Sequence, residues 1–175
     1  MSGGIDSAAC AAFFSAQGLK VSALFVDHSQ AAVEQERAAV RSLAAVLGID
    51  IQELAFKGSA PFGSGELVGR NAFLVFAALF ATRAQTSLIA MGLHAGTPYY
   101  DCSPAFVEKI NRIVAEHTDN AVQVVAPFLE WTKRDVCDYF MRTGLPIERT
   151  YSCETGGDSP CGTCASCLDR KALQC

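Results

Sequence analysis

Ser2-Gly3-Gly4-Ile5-Asp6-Ser7 constrains this chain more than any other stretch, because it runs straight into an apolar, helix-like segment from Ala8 to Gln17. Two adjacent glycines let the backbone approach a ligand closely and take φ values that other residues avoid. Ser2 and Ser7 contribute hydroxyl donors. The helix that follows aims its free N–H groups and the positive end of its dipole at the same spot. Together these features make a pyrophosphate cradle. The Walker loop is a different solution. It needs Gly, four residues, then Gly-Lys-Ser/Thr, and that spacing does not occur here. A Gly-rich turn with a Ser N-cap is the plainer alternative, and it leaves most of the six residues unexplained.

A helix behind such a loop asks for a sheet beside it. Val21–Val26 is a short apolar run with few polar positions, as in a buried parallel strand. Asp27 and His28 follow its carboxyl end, where ligands of open α/β sheets bind. Val33, Val40, Leu43 and Leu47 keep helical spacing, and Gly48 is a C-terminal stop. Ile51–Ala55 reads as a strand, and Phe56–Gly69 as a Gly/Ser/Pro-rich loop. Asn71–Gln85 is apolar all round, which predicts a buried helix. Ser87–Met91 reads as a strand ending at Gly92. Ser103-Pro104 opens a helix with proline in its first turn and an apolar face of Phe106, Ile110, Ile113 and Val114. Val122–Ala126 is a strand stopped by Pro127. Thr132 and Asp135 form a capping-box-like start to a further helix, which turns Val136, Tyr139 and Phe140 to the core and ends at Gly144. Strands alternating with helices predict an α/β fold, a doubly wound parallel sheet.

The chain has 175 residues, half of them hydrophobic, which suits one main domain with a sizeable core. Residues 1–149 are expected to form it and 150–175 a separate tail. The net charge of −4 offers no basic face for a nucleic-acid backbone and favours a small-molecule substrate. The most apolar stretch, Ala72–Ala81, is too short to span a membrane. No secretory signal is recognisable, so a cytoplasmic enzyme is expected.

The tail has little apolar periodicity and needs another source of order. Cys153, Cys161, Cys164 and Cys167 are spaced C-x7-C-x2-C-x2-C. Four thiolates close a tetrahedral zinc site, and a full set leaves no open position, so the metal would be structural. A redox CxxC pair and an iron–sulfur cluster are the rival readings. Cys10 and Cys137 lie on predicted helices and read as small core residues. Cys102 sits in a presumed site loop and stays ambiguous.

The SGGIDS loop resembles the PP-loop of ATP pyrophosphatases, which cut ATP between its α- and β-phosphates. Four segments then line up in order: this loop, Gly69-Arg70-Asn71 before the apolar helix, Tyr100-Asp101-Cys102-Ser103-Pro104-Ala105-Phe106, and the cysteine tail through Leu168-Asp169-Arg170. In combination they are similar to the 7-cyano-7-deazaguanine synthase (QueC) family over nearly the whole chain. The resemblance implies a Rossmann-like PP-loop domain of HUP type with a small C-terminal four-cysteine zinc segment. It implies ATP with Mg²⁺, 7-carboxy-7-deazaguanine and ammonia as reactants, and a homodimer or protein partner as a possible assembly. It also implies a buried strand ahead of the phosphate loop. Nothing precedes Met1-Ser2 here, so that strand is expected to be lacking.

Residue roles follow from the same resemblance. Ser2, Gly3, Gly4, Ile5 and Ser7 would hold the pyrophosphate, and Asp6 would place Mg²⁺ or orient the loop. Asp27 would lie near the nucleoside. Lys133 would meet phosphate charge. Arg70 and Asn71 would bind the substrate carboxylate or phosphate, Arg70 through its bidentate fork. Asp101 would accept from the guanine-like edge, Phe106 would stack or pack, and His94 would line the site. Departures cluster around the presumed base pocket. Leu93-His94-Ala95-Gly96-Thr97-Pro98-Tyr99-Tyr100 lacks the usual acidic residues, Gly65-Glu66-Leu67-Val68 differs, and His28 stands where an aromatic is usual. Three other readings stay open on the sequence. One is a paralogue passing the activated acyl group to another amine, such as a protein N-terminus. Another is a tRNA-thiolating enzyme, which would want a basic extension. The last is a non-catalytic nucleotide-binding subunit.

Overall fold

A computed structural model describes residues 1–56, 67–81 and 86–175. Helix α1 (Ile5–Ala16) leads into strand β1 (Ser22–Asp27), helix α2 (Val33–Leu47) and strand β2 (Asp50–Ala55). Helix α3 (Arg70–Ala81), strand β3 (Leu88–Ala90), helix α4 (Pro104–His117) and strand β4 (Gln123–Val125) follow. Helix α5 (Lys133–Arg142) and helix α6 (Ala165–Leu173) complete the chain. Strands and helices alternate as expected, and both strand pairings are parallel: β1 with β2, and β3 with β4.

The expected α/β alternation with parallel strands is present, while a single sheet joining all four strands is not seen among the described residues. Among the described residues the strands make two pairs, β1–β2 and β3–β4. Met1 donates from its ammonium to the Leu24 carbonyl of β1, so the residue just before the SGGIDS loop lies against that strand.

Buried side chains gather in two clusters. The first gathers Ile5, Ala8, Ala9 and Ala12 of α1, Leu43 of α2, Phe128, and Val136 and Phe140 of α5. The second gathers Val75 of α3, Ile89 of β3, Phe106, Ile110 and Val114 of α4, and Val122 and Val124. Local signals set the helix ends. Ser103 Oγ accepts from Phe106 N–H at 3.2 Å and Pro104 opens α4. The Thr132–Asp135 capping box starts α5, and Gly48 ends α2 in the left-handed conformation.

Three expectations need correction. Helix α3 is not buried all round: Phe73, Phe76 and Phe80 are exposed, because only Asn71, Val75 and Ala77 face inward. Ile113 is likewise exposed, since α4 turns Phe106, Ile110 and Val114 to the core instead. The tail carries a helix, α6, that apolar periodicity did not announce. Arg170 fixes it by donating to the carbonyls of Ile147, Thr150 and Cys175 at 3.0–3.5 Å, a charge-assisted clamp rather than an apolar stripe. The last residues of the expected Asn71–Gln85 helix, and most of the Phe56–Gly69 loop, lie outside the described residues.

Candidate phosphate cradle and metal centre

The phosphate loop is built by backbone packing. Gly3 has φ of +81°, and a Cβ there would stand 2.8 Å from Ala39 Cβ and 2.9 Å from the Glu36 carbonyl oxygen. Only glycine meets both demands. Gly4 precedes α1 without a side-chain cap, and the first helical bond runs from Ala8 N–H to the Gly4 carbonyl. The N–H groups of Ile5, Asp6 and Ser7 therefore have no partner within the helix and open toward the loop. Ser7 Oγ accepts from Ser2 N–H at 3.1 Å, lies 3.2 Å from Ser2 Oγ and donates to the Gly4 carbonyl. Behind the first turn of α1 sits Gly92, where a Cβ would be 2.5 Å from the Asp6 carbonyl oxygen.

The structure joins Asp6 to Lys133 across 127 residues of sequence, with Nζ at 2.7 and 2.5 Å from the two carboxylate oxygens. Both side chains stay about a quarter exposed (27 and 29%), so the ammonium is within reach of a ligand at the α1 N-terminus. Asp27 is not a free carboxylate. Its Oδ1 accepts from Ser29 N–H and its Oδ2 is paired with Arg37 at 2.8 Å. Arg37 also holds Glu53 at 2.7 Å and bonds Glu34. The spacing of Glu34 and Arg37 on one helix was the only sequence sign of this cluster.

The second group of expected residues gathers at the start of α3. Asn71 is buried; its N–H donates to Asp101 Oδ2 at 3.1 Å, and its Nδ2 donates to the Asp101 carbonyl at 3.0 Å and to Cys102 Sγ at 3.5 Å. The Asp101 carboxylate thus satisfies a free N–H in the first turn of α3. Burial and the neighbouring Asp101 push the Cys102 thiol up, against nucleophilic use. Arg70 is exposed and its charge is felt at Cys102, His28 and Glu36. Burial lowers the His28 imidazole, and Arg70 adds to that. Phe106 is 6% exposed and belongs to the second core; Tyr100, packed edge-to-face on it at 6.0 Å, is the exposed aromatic there. His94 is half-buried, with Nδ1 at 2.7 Å from the Ala95 carbonyl.

Sequence reasoning missed Gln30 and Glu36. Gln30 Nε2 donates to Glu36 Oε2 at 2.8 Å, and burial raises the Glu36 carboxyl. Neither residue carries a motif, and the influence of Arg70 on Glu36 is purely tertiary.

In the tail, the Sγ atoms of Cys153, Cys161, Cys164 and Cys167 all lie within 4.8 Å of one another. A tetrahedral site with Zn–S near 2.3 Å needs sulfur–sulfur edges of about 3.8 Å, and Cys161 and Cys167 stand 3.9 Å apart. Backbone N–H groups already point at the sulfurs: Cys161 N–H at Cys153, and Thr163 and Cys164 N–H at Cys161, at 3.3–3.4 Å. The Thr163 hydroxyl and these N–H groups hold the Cys161 thiol down at about 5. Burial pushes Cys153 up, but hydrogen bonds from Cys161 and Thr155 outweigh it and bring the thiol to about 7. The donor set fits a structural metal closed by four thiolates. Cys10 and Cys137 are buried, and burial pushes each thiol up to about 12, as core residues rather than nucleophiles.

A helix N-terminus opened by a glycine-rich loop, a lysine held beside it and four clustered thiols in the tail give an α/β chain with a candidate phosphate cradle and a set of sulfurs that could hold a metal. The sequence profile of the family described as Queuosine biosynthesis protein QueC matches residues 1–71 and 67–174, and the chain belongs to that family. The 7-cyano-7-deazaguanine synthase of Halobacterium salinarum (strain ATCC 29341 / DSM 671 / R1) is 29% identical over 97% of this chain and 86% of its own length. That of Synechococcus sp. (strain CC9311) is 29% identical over 97% of this chain and 88% of its own. The Aquifex aeolicus (strain VF5) synthase is 37% identical over a shorter segment, 57% of this chain and 49% of that protein. No described helix is long and apolar enough to cross a membrane.

Proposed function

We propose that this chain is an ATP-dependent carbon–nitrogen ligase that converts 7-carboxy-7-deazaguanine and ammonia to 7-cyano-7-deazaguanine, with release of AMP and pyrophosphate. The observation that carries the reading is the open N-terminus of α1, with Lys133 Nζ held 2.5–2.7 Å from the Asp6 carboxylate beside it, in a chain of this family. A carboxylate is a poor electrophile because its leaving group would be oxide. Attack of the carboxylate oxygen on the α-phosphorus forms an acyl-adenylate and expels pyrophosphate. Ammonia then displaces AMP to give the amide. A second ATP activates the amide oxygen, which leaves with AMP as the nitrile forms.

In this reading the free N–H groups of Ile5, Asp6 and Ser7, with the Ser2 and Ser7 hydroxyls, bind the departing pyrophosphate and stabilise its growing charge. Lys133 neutralises it, and Asp6 orients Lys133. Mg²⁺ enters with ATP. Arg70, exposed at the start of α3, binds the substrate carboxylate. Zinc is the metal proposed for Cys153, Cys161, Cys164 and Cys167, and the cytoplasm the compartment that keeps these thiols reduced.

The test is mass spectrometry of products from ATP, Mg²⁺, 7-carboxy-7-deazaguanine and ammonium. AMP with the nitrile base is expected, with AMP formation reduced about 100-fold or more in Lys133→Met. AMP with an acyl group appearing on another protein's amine overturns the acceptor assignment, and no AMP under any condition overturns the enzyme reading.

A further inference from the structure

The four-cysteine tail does not stand apart from the phosphate loop. Tyr151 N–H donates to the Gly3 carbonyl at 3.0 Å. The space a Cβ at Gly4 would enter is bounded by Ser152 Oγ, Ser2 Oγ and the Tyr151 carbonyl, each 3.6 Å away. The next residue, Cys153, is a buried member of the thiol cluster. Three residues further on, Gly156 has φ of +71° and lies so close to the β1–α2 connection that a Cβ would stand 1.9 Å from the Ala31 carbonyl oxygen. The tail therefore touches the ATP side of the molecule twice: at the glycines of the phosphate loop and on the segment after Asp27.

We propose that the metal-held tail is a working wall of the phosphate cradle, with Ser152 as a third hydroxyl ligand to the ATP phosphates and Tyr151 and Gly156 as positioning residues. The inference rests on ATP binding at the cradle, as argued above. The Ser152 and Ser2 hydroxyls flank the same point beside Gly4. A hydroxyl donating to a phosphate oxygen makes a charge-assisted bond. Fixing Cys153 in the thiol cluster fixes Ser152 one residue before it and the Tyr151 N–H two before it. Metal occupancy and ATP binding are thereby linked, and linkage between two binding events is reciprocal.

The experiment uses the zinc-loaded chain and a non-hydrolysable α,β-methylene analogue of ATP with Mg²⁺. Affinity for the analogue is measured by calorimetry, and zinc affinity by equilibrium competition with a chelator, with and without the analogue. Bound analogue is expected to tighten zinc, and zinc to tighten the analogue, by the same factor. Ser152→Ala is expected to keep one zinc per chain and bind the analogue at least about tenfold more weakly, the loss typical of a hydrogen bond to a charged group. Gly156→Ala removes no ligand and no donor, yet is expected to weaken analogue binding because its Cβ displaces the seat on Ala31. A parent chain that binds the analogue while both variants match it, or whose zinc affinity ignores the analogue, overturns this inference alone. A parent chain that does not bind the analogue overturns the ATP reading as well.

Discussion

The phosphate side and the α3–α4 side of this molecule are held in place by different means. On the phosphate side the fixing contacts are backbone against backbone. Gly3 on α2, Gly92 on the first turn of α1 and Gly156 on Ala31 all stand where a Cβ would come within 2.9 Å of a neighbour's carbonyl. On the other side, Gly69 and Gly96 also have positive φ, but a Cβ at either would meet nothing within 4 Å. There the geometry hangs on side chains, above all on Asn71 and Asp101. Under the proposed function, rigid backbone suits a cradle that grips phosphates by N–H groups, and side chains suit a pocket that selects a base.

If backbone contact is what holds the phosphate side, the largest single effect should come from one methyl group. Gly3→Ala places a side chain at φ of +81° and against both Ala39 and the Glu36 carbonyl. Left-handed backbone alone costs an L-residue about 1–2 kcal/mol, and the clash forces the loop to shift. Displacement near 1 Å at a reacting centre costs about 100-fold in rate. AMP formation should fall by that factor or more, while the far-UV spectrum stays that of the parent. Turnover within a few-fold of the parent would show that side chains, not backbone, set the cradle.

The α3–α4 side should yield a smaller loss, expressed first as stability. Asn71→Ala keeps the N–H bond to the Asp101 carboxylate but strips the amide from the Asp101 carbonyl and Cys102. Leaving these half-buried acceptors unpaired costs at most about 1–3 kcal/mol, the range for a fully buried group, readable by urea denaturation. A variant as stable as the parent would mean that the second core alone fixes the start of α3.

The same contrast explains what could be read from sequence. The demand for glycine at Gly3 was legible because two adjacent glycines stand before a helix, and the cysteine spacing pointed to the cluster of thiols, whereas the close approaches at Gly92 and Gly156 left no sign in the sequence. The pairing of Asn71 with Asp101 bridges 30 residues and leaves no periodic trace. Apolarity alone overstated the burial of α3, because Phe73, Phe76 and Phe80 repeat at helical spacing on its outer face. Helix α6 was missed because a guanidinium clamp and four sulfurs order it, and neither produces an apolar stripe. Asp27 read as a candidate ligand since β1 was found correctly; its commitment to Arg37 is a tertiary fact. The single sheet was inferred from alternation, which specifies parallel pairing but not which pairs join.

Glu36 belongs to both sides, and it gives the finest test of how they meet. Its helix carries the carbonyl that Gly3 packs on, while its carboxylate faces Gln30 and feels Arg70 and the Met1 ammonium. Burial is the largest influence and raises the carboxyl; the amide of Gln30 and the two positive charges offset it only in part. The folded protein therefore holds this proton more tightly than the unfolded chain. The sign follows: the native state is favoured by this group at acid pH, and that advantage is lost as pH rises through the folded value. Glu36→Gln keeps an acceptor for Gln30 and removes the charge. It should melt above the parent near pH 8, where the parent buries an anion, and the gap should close toward about pH 4, where carboxyls are protonated in both states. Melting curves across that range decide it. A variant that melts below the parent at neutral pH would mean that attraction to Arg70 outweighs desolvation, and that an ion pair, rather than packing, ties the phosphate loop to the start of α3.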